Sequence, residues 1–236
     1  MTGYAPSVAT TMMVAKRHYS LAMTLDEDDK SFVKLIIMTS VNPTLYREII
    51  GLRQSTYPHN FIEGKKIPDA IISDILDAAV WAPTHGLTQP WFFKVFHGKG
   101  VQTFFKGMIG VYQNITPPEA LSEKKIAKYK IKSWQVSHVL AVCMRHGDTN
   151  IIPEIEEIVA TGCVIENIYL ALAQYGIAGY LSTGDICYSS EMKAFLGLSA
   201  KDQCLGFFQL GYARKDAPER VRKRIPAQEK TEWVSE

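Results

Sequence analysis

The chain has 236 residues, 47% of them hydrophobic and 21% charged, so it can bury a substantial core in one large domain or two small ones. Its formal net charge of +2 gives no overall field that would favour nucleic acid or an anionic membrane. The uncharged stretch of residues 167–184 contains Asn167, Gln174 and three glycines, which argues against a transmembrane span.

The four cysteines lie far apart and form no Cys-x-x-Cys pair. This spacing predicts neither a zinc site nor a disulfide framework. We therefore expect reduced thiols in the core of a cytoplasmic protein. The four are Cys143, Cys163, Cys187 and Cys204.

Residues 1–40 lack a clear hydrophobic period and include the charged run 26–30, so we expect an extension outside the fold. This extension is either a loose tail or the product of a start codon placed too early, with Met38 as the real start. A transit peptide also remains open, because no acidic residue occurs before Asp26. The folded domain is predicted over residues 41–236.

A first helix is predicted over Pro43–Leu52, where apolar residues recur at spacings of four and three. A clearer helix is predicted over Pro68–Trp81, which carries one apolar stripe while Asp69 and the other acidic residues face away. Pro68 suits the first turn of this helix, and Asp69 complements the positive end of its dipole. Pro83 ends the helical pattern.

The remaining pattern alternates strands with helices. The predicted strands are Trp91–Phe96, His138–Met144, Ile177–Leu181 and Cys204–Tyr212; the predicted helices are Val101–Gln113, Glu119–Trp134, Pro153–Tyr175 and a short one from Ser189 or Ser190 to Gly197. The helix from Pro153 is acidic at its start, and its later turns are apolar on nearly every side, which is typical of a helix in the middle of a structure. Gly176 is a natural C-terminal cap for it. Few strands separated by helices indicate an α+β or α/β class.

The familiar catalytic motifs are mostly missing from the sequence. There is no Gly-x-Gly-x-x-Gly after a strand, no Gly-x-x-x-x-Gly-Lys-Ser/Thr, no His-Glu-x-x-His and no Gly-x-Ser-x-Gly. The six histidines are scattered along the chain, so no metal centre is predicted. These observations disfavour Rossmann-type, P-loop, zinc-protease and serine-hydrolase chemistry.

Two short clusters carry more information. Arg53, Gln54 and Ser55 place a cation, an amide and a hydroxyl within three residues, which suits a phosphate or a polar sugar-like chain. Some thirty residues on, the stretch 82–91 places His85 and Gln89 in a loop bounded by two prolines. Taken singly, the first cluster could equally be a solvated helix end and the second an ordinary loop.

These two clusters, in this order and at this separation, resemble the FMN-dependent nitroreductase family, and the resemblance extends over about residues 43–226. The stretch 82–91 is similar to the family's Ala-Pro-Ser/Asp-x-x-x-x-Gln-Pro-Trp motif, particularly in its shorter members. The family carries Arg-Arg-Ser where this chain has Arg53, Gln54 and Ser55, and it often carries a lysine where this chain has Tyr57. Which group stabilises a reduced flavin is therefore left open.

The resemblance assigns roles to residues. Arg53, Gln54 and Ser55 would bind the phosphate and ribityl chain of FMN, and His85 and Gln89 would complete the site of the partner subunit. The stretch Leu181, Ser182, Thr183 and Gly184 would run past the flavin ring, with backbone amides directed at it, although on its own it could be a simple turn. Arg222 and Arg224 would close on the phosphate, as they fit the family's Lys/Arg-x-Arg-x-Pro motif.

The resemblance implies an α+β fold with a central, mainly antiparallel sheet flanked by helices, in an intertwined homodimer with FMN at the interface. The implied activity is ping-pong hydride transfer from NADH or NADPH, through the flavin, to a nitroaromatic, quinone or activated alkene. Neither the physiological acceptor nor the preferred hydride donor follows from the sequence. The alternatives are a non-enzymatic flavin or nucleotide binder, and a nucleic-acid binder that uses the basic cluster Arg220–Arg224.

Overall fold

The computed structural model describes residues 43–147, 151–218 and 222–235. The chain divides into two compact units, Met1–Gly51 and Leu52–Glu236, and all the features below belong to the second unless stated. The predicted extension, residues 1–40, lies outside the described residues. Helix α1, Pro43–Leu52, begins and ends at the predicted residues and crosses the boundary between the two units.

The described part of the chain contains seven α-helices and four strands. After α1 the helices are α2 (Asp69–Ala79), α3 (Lys99–Ile115), α4 (Glu123–Gln135), α5 (Glu154–Gln174), α6 (Asp185–Tyr188) and α7 (Ser190–Leu196); the strands are β1 (Trp91–His97), β2 (His138–Met144), β3 (Ala178–Ser182) and β4 (Gln203–Gly211). Most bounds lie within a few residues of the predicted ones. The exception is α6, which was not predicted because a four-residue helix shows no hydrophobic period. Within the described residues, no helix is long and apolar enough to cross a bilayer.

The strands form one sheet in the order β1-β2-β4-β3, in which every neighbouring pair is antiparallel. This confirms the predicted α+β class with a mainly antiparallel sheet. β2 is central and fully buried, and its side chains alternate between the two faces of the sheet. Val139 and Ala141 pack with α3, while Leu140 and Val142 pack with α2 and α5. The sheet therefore has a helical layer on each face.

Helix α5 spans the second of these layers and differs in part from its prediction. One stripe of the helix is buried, including Val164, Ile168 and Leu172. Near its start, however, Ile155 is 64% exposed and Val159 is 59% exposed. The helix is thus apolar on several sides, as predicted, but only one side is covered by its own chain.

The ends of two helices follow the predicted capping rules. Gly176 lies just beyond α5 with φ of 62°, and the amide of Ile177 donates to the carbonyl of Leu172 at 2.9 Å. The Ser189 hydroxyl accepts the amide of Met192 at the start of α7, as expected for an N-cap. The turn after α5 leads the chain directly into β3.

Cys143, Cys187 and Cys204 are buried in the core, as predicted, whereas Cys163 on α5 is only partly buried, which departs from the prediction; all four are free thiols. The histidines are less scattered in space than in sequence. Strand pairing places His97 opposite His138, and the carboxylate of Asp69 contacts both rings. Asp69 faces away from the apolar stripe of its helix, as predicted, and its exposed carboxylate is in addition bound by two histidine side chains.

Candidate functional site

Residues 53–56 run beside β3 and bring the first predicted cluster to the sheet edge. The Thr56 amide donates to the Gly179 carbonyl at 2.9 Å, which fixes the segment against the strand. On this segment, Arg53 and Ser55 contact Tyr169, a residue of α5. We name the group formed by Arg53, Ser55, Tyr169 and the Leu181 amide the Tyr169 cluster.

The Tyr169 hydroxyl connects the segment to β3. It accepts the backbone amide of Leu181 at 3.1 Å and lies 3.1 Å from the Ser55 hydroxyl. The ring, only 8% exposed, packs edge-on against Phe208 with centroids 4.7 Å apart. One side chain therefore sets the spacing between two of the predicted cofactor-binding stretches.

Arg53 adds positive charge beside this hydroxyl pair. Its guanidinium carbon lies 5.0 Å from the centroid of the Tyr169 ring, and its Nε lies 3.9 Å from a carboxylate oxygen of Glu166. The Arg53 side chain is largely buried at 18% exposure. From the C-terminal segment, the Arg222 guanidinium donates to the Arg53 carbonyl. A guanidinium from a distant part of the chain thus contacts the backbone of the segment that carries Arg53 and Ser55.

Gln54 has a different environment from its two neighbours. It is exposed and borders a pocket of about 200 Å³, which is also lined by Thr56, Leu172 and Ile177. Tyr57, at the position of the family lysine, packs its ring on Tyr180 with centroids 4.6 Å apart.

The third predicted stretch lies at the end of β3. Leu181 and Ser182 are paired with β4, and Thr183 and Gly184 form the bend that leads into α6. Gly184 has φ of 113° and ψ of −174°, a conformation that side-chain-bearing residues rarely adopt. Leu181 approaches β4 so closely that a Cβ on Gly206 would lie 2.6 Å from its Cδ1.

The second predicted cluster forms a compact loop stabilised by its own threonine. The Thr84 hydroxyl accepts the Gln89 amide at 3.1 Å and lies 3.1 Å from the Thr88 hydroxyl. Leu87 and Gln89 both have positive φ, of 54° and 44°, which is uncommon for residues other than glycine. Backbone outliers of this kind concentrate at functional sites.

His85 extends from this loop towards the start of α5. Its Nδ1 lies 2.5 Å from a carboxylate oxygen of Glu156, and its side chain is 61% exposed. Beside the pair lies an open pocket of about 340 Å³ lined by Pro83, Ile155 and Val159. An exposed histidine is therefore fixed in direction at the edge of an apolar surface.

The two halves of the predicted site stay apart within one chain. The loop contacts α5 at Glu156 and the Tyr169 cluster contacts it at Tyr169, thirteen residues further along. Thirteen helical residues span about 20 Å. The structure therefore brings together Arg53, Ser55, Leu181 and Arg222, but His85 and Gln89 of the same chain are not part of that group.

The C-terminal cluster is only partly described. Residues 219–221 lie outside the described residues, so Arg220 and the start of the proposed basic patch have no structural account. Arg224 is exposed, and its guanidinium donates to the Lys223 carbonyl at 3.0 Å. Arg222 is thus the one of the two predicted phosphate ligands that contacts the Tyr169 cluster.

Tyr169 was not predicted as a site residue. In the sequence it is one aromatic residue within an apolar helix and belongs to none of the four stretches. The sequence did offer one signal that could have identified Tyr169, namely a tyrosine among the aliphatic residues of a helix. Buried tyrosine hydroxyls usually find hydrogen-bond partners.

Comparisons with known proteins identify the family and the fold of this chain. Residues 53–212 match the sequence profile of the Nitroreductase family. The Bacillus subtilis protein YfhC, named as an NAD(P)H nitroreductase, is 27% identical over 187 residues, which cover 79% of this chain and 93% of YfhC.

Solved structures show the same fold. A nitroreductase-like family protein from Bacillus cereus superposes with a TM-score of 0.67 at 23% identity, covering 80% of this chain and 96% of that one. The FMN-dependent nitroreductase NfnB from Mycobacterium smegmatis, solved in complex with NADPH, superposes with a TM-score of 0.61 at 16% identity, covering 80% and 97%.

Proposed function

This chain belongs to the nitroreductase family, and on that premise we propose that it is an FMN-dependent oxidoreductase that passes a hydride from NADH or NADPH to an electron-poor acceptor by a ping-pong mechanism. The cofactors are those named for the Mycobacterium smegmatis structural relative, and NAD(P)H is also in the name of YfhC. The candidate acceptors are nitroaromatics, quinones and activated alkenes.

The Tyr169 cluster supplies groups that fit the phosphate end of FMN. A phosphate dianion needs cations and hydrogen-bond donors. Arg53 and Arg222 each supply a guanidinium group, Arg222 is bonded to the backbone carbonyl of Arg53, and Ser55 supplies a hydroxyl. The contact between Arg222 and the segment that carries Arg53 and Ser55, which lies far from it in sequence, is the observation that carries the proposal. Arg224 is proposed as a further cation, and Gln54 as a contact to the ribityl chain.

The end of β3 fits a flat ring. Leu181 is fixed by the Tyr169 hydroxyl and by its close approach to Gly206, and Gly184 provides a backbone without a side chain at the bend. We propose that the amides of Ser182, Thr183 and Gly184 face the ring. When bound, the flavin would supply the hydride chemistry, so the chain needs to bind, orient and shield the reactants rather than supply an acid or base.

The remaining groups are proposed to come from a second copy of the chain. His85 and Gln89 lie about 20 Å along α5 from the Tyr169 cluster, next to the exposed apolar residues Ile155 and Val159. Apolar surfaces of this type are characteristic of obligate dimer interfaces. In a homodimer that buries them, His85 and Gln89 of one protomer would complete the site of the other.

The test is the visible absorbance spectrum of the purified protein before and after addition of a hydride donor without oxygen. The proposal predicts a yellow protein whose flavin bands bleach with NADH or NADPH and recover when a nitroaromatic or a quinone is added. Separate donor and acceptor steps would confirm the ping-pong order.

The alternative functions give different outcomes in the same preparation. A protein that stays yellow with both donors would be a flavin binder without this activity. A colourless protein that is retained on an anionic matrix and released by salt would instead support nucleic-acid binding through Arg220–Arg224. Either result would overturn the proposal.

A further inference from the structure

A second cluster of functional groups lies on β1 and β2, at the edge of the sheet opposite to β3. His97 is the last residue of β1 and His138 the first of β2, and the two are direct partners in the antiparallel register. Directly opposed residues project from the same face of a sheet. Their rings are nearly parallel, at 17°, with centroids 6.1 Å apart.

The first residue of α2 places a carboxylate between these two rings. One oxygen of Asp69 lies 2.9 Å from Nδ1 of His97, and the other lies 2.9 Å from Nε2 of His138. One donor atom from each of the three residues lies within 4.8 Å of the other two. We name Asp69, His97 and His138 the His-Asp triad.

The buried histidine is held in direction by a neighbouring hydroxyl. His138 is 3% exposed, and its Nδ1 lies 3.0 Å from the hydroxyl oxygen of Ser137. That hydroxyl in turn accepts the backbone amide of Ile67 at 2.8 Å. Histidine ligands of metal ions are typically fixed in this way, with one ring nitrogen bonded to a neighbouring group while the other faces the metal.

From this geometry we propose that the His-Asp triad binds one divalent transition-metal ion, with Zn²⁺ as the best match. Two imidazole nitrogens and one carboxylate oxygen form a ligand set that zinc accepts, and the set is distinct from the all-oxygen sites of Mg²⁺ and Ca²⁺. No residue of the triad belongs to the Tyr169 cluster, so the site is independent of the proposed cofactor.

The spacing of the donors suits an ion of this size. With zinc–nitrogen bonds of 2.0–2.1 Å, tetrahedral ligand atoms lie about 3.3 Å apart. Each oxygen of Asp69 lies 2.9 Å from one imidazole nitrogen, and one donor atom from each residue lies within 4.8 Å of the other two, so small side-chain movements would give this spacing. The His97 side chain is 60% exposed and so has room to turn towards an ion. Because His97 and Asp69 are exposed, a water molecule could reach the ion as its fourth ligand.

The bound ion would join three elements of the fold. It would connect the start of α2 to the end of β1 and the start of β2, which are also joined by the hydrogen bonds of Asp69. A metal that binds only the folded state stabilises it by mass action. The site is therefore expected to raise the thermal stability of the protein.

The experiment uses the full-length chain without an affinity tag, treated with a chelator and then titrated with Zn²⁺ against a chromophoric competitor. The proposal predicts saturable binding of one ion per chain and a rise in melting temperature that follows the titration. Co²⁺ used in place of Zn²⁺ should give visible absorption bands characteristic of tetrahedral coordination with nitrogen and oxygen ligands.

Variants identify the ligands. His97→Ala and Asp69→Asn should each lower zinc affinity at least tenfold, and both alter exposed side chains, so the chain should still fold. The matched controls are His59→Ala and Asp77→Asn, which change exposed residues of the same types outside the triad. These controls should retain the affinity and the cobalt spectrum of the unaltered chain.

Two results would overturn the proposal. One is the absence of stoichiometric binding by the unaltered chain, which would leave the triad as a set of hydrogen bonds that hold α2 to the sheet. The other is equal zinc affinity in the unaltered chain and His97→Ala, which would locate the ion elsewhere. Because FMN retention is measured separately, neither result bears on the oxidoreductase proposal.

Discussion

The two halves of the candidate site are anchored to the same helix but are built in different ways. In the Tyr169 cluster, a nearly buried ring joins a loop, a helix and a strand through its hydroxyl. At the other end of α5, His85 has one side-chain partner, is mostly exposed and lies beside uncovered apolar residues. One half is organised by its own chain, whereas the other is directed outward.

In the proposed enzyme, this difference would divide cofactor binding from subunit assembly. The Tyr169 cluster, which we propose binds the FMN phosphate, is held in place by contacts within one chain, and such preorganisation lowers the entropy lost on binding. The proposed role of His85 in a partner's site requires a side chain that is exposed in the single chain and held in direction by a local contact, and Glu156 supplies that contact. Four variants test whether the two halves depend on each other in this way.

The largest effect is expected from a charge on the exposed face of α5. Val159→Glu would leave an unpaired carboxylate in the proposed interface, and an uncompensated buried charge costs about 3–5 kcal/mol. We expect a monomer by light scattering, with loss of bound FMN, because the partner's His85 and Gln89 are then missing. The matched control is Ile131→Glu on α4, also an exposed aliphatic residue, which should leave the dimer intact. A dimeric, yellow Val159→Glu protein would show that the interface lies elsewhere.

The next effect concerns the cation of the Tyr169 cluster. Arg53→Ala removes a charge-assisted contact worth about 2 kcal/mol, so FMN should bind roughly 30-fold more weakly. Fluorescence titration of the apoprotein with FMN measures this change. Arg214→Ala, which removes an exposed arginine paired with Asp216, should bind FMN normally. Unchanged affinity in Arg53→Ala would mean that the phosphate sits elsewhere.

A smaller effect is expected from the hydroxyl that organises the cluster. Tyr169→Phe leaves the Leu181 amide without its acceptor, which should lower the free energy of unfolding of the apoprotein by about 1–2 kcal/mol. Urea denaturation measures this loss. Tyr175→Phe removes a hydroxyl that bonds Asp74 at an exposed position, and it should cost less than about 0.5 kcal/mol. Equal losses of unfolding free energy in both variants would show that the Tyr169 hydroxyl stabilises the fold no more than an exposed tyrosine hydroxyl does.

The sequence predicted those features that depend on local patterns. Helix α1 and strand β2 have the predicted bounds, because a helical period and a β-branched apolar run are visible within a short window. The caps at Gly176 and Ser189 are local as well. The stretches around Arg53, His85 and Gly184 were found by motif resemblance, which also rests on short segments.

Features that depend on long-range pairing could not be predicted in this way. Tyr169 bonds Ser55, which is 114 positions away, so no window of sequence contains the pair. His97 and His138 become neighbours only through the register of β1 and β2. The sequence therefore proposed which residues bind the cofactor, but it did not indicate Tyr169, which connects two of the proposed stretches, or the His-Asp triad.

The smallest effect is expected from His85→Ala, and this variant distinguishes the two halves of the candidate site most clearly. His85→Ala removes an exposed side chain, so the apoprotein should keep its free energy of unfolding within about 0.5 kcal/mol and remain a dimer. If His85 completes the partner's site, FMN affinity or turnover should still fall about fivefold, as expected for the loss of one hydrogen bond. His59→Ala is the matched control, with no change in either quantity.

Tyr169→Phe should change stability and binding together, whereas His85→Ala should change binding or turnover alone. Wild-type affinity and turnover in His85→Ala would place the loop outside the site, and a loss of stability would mean that the loop belongs to the fold of its own chain.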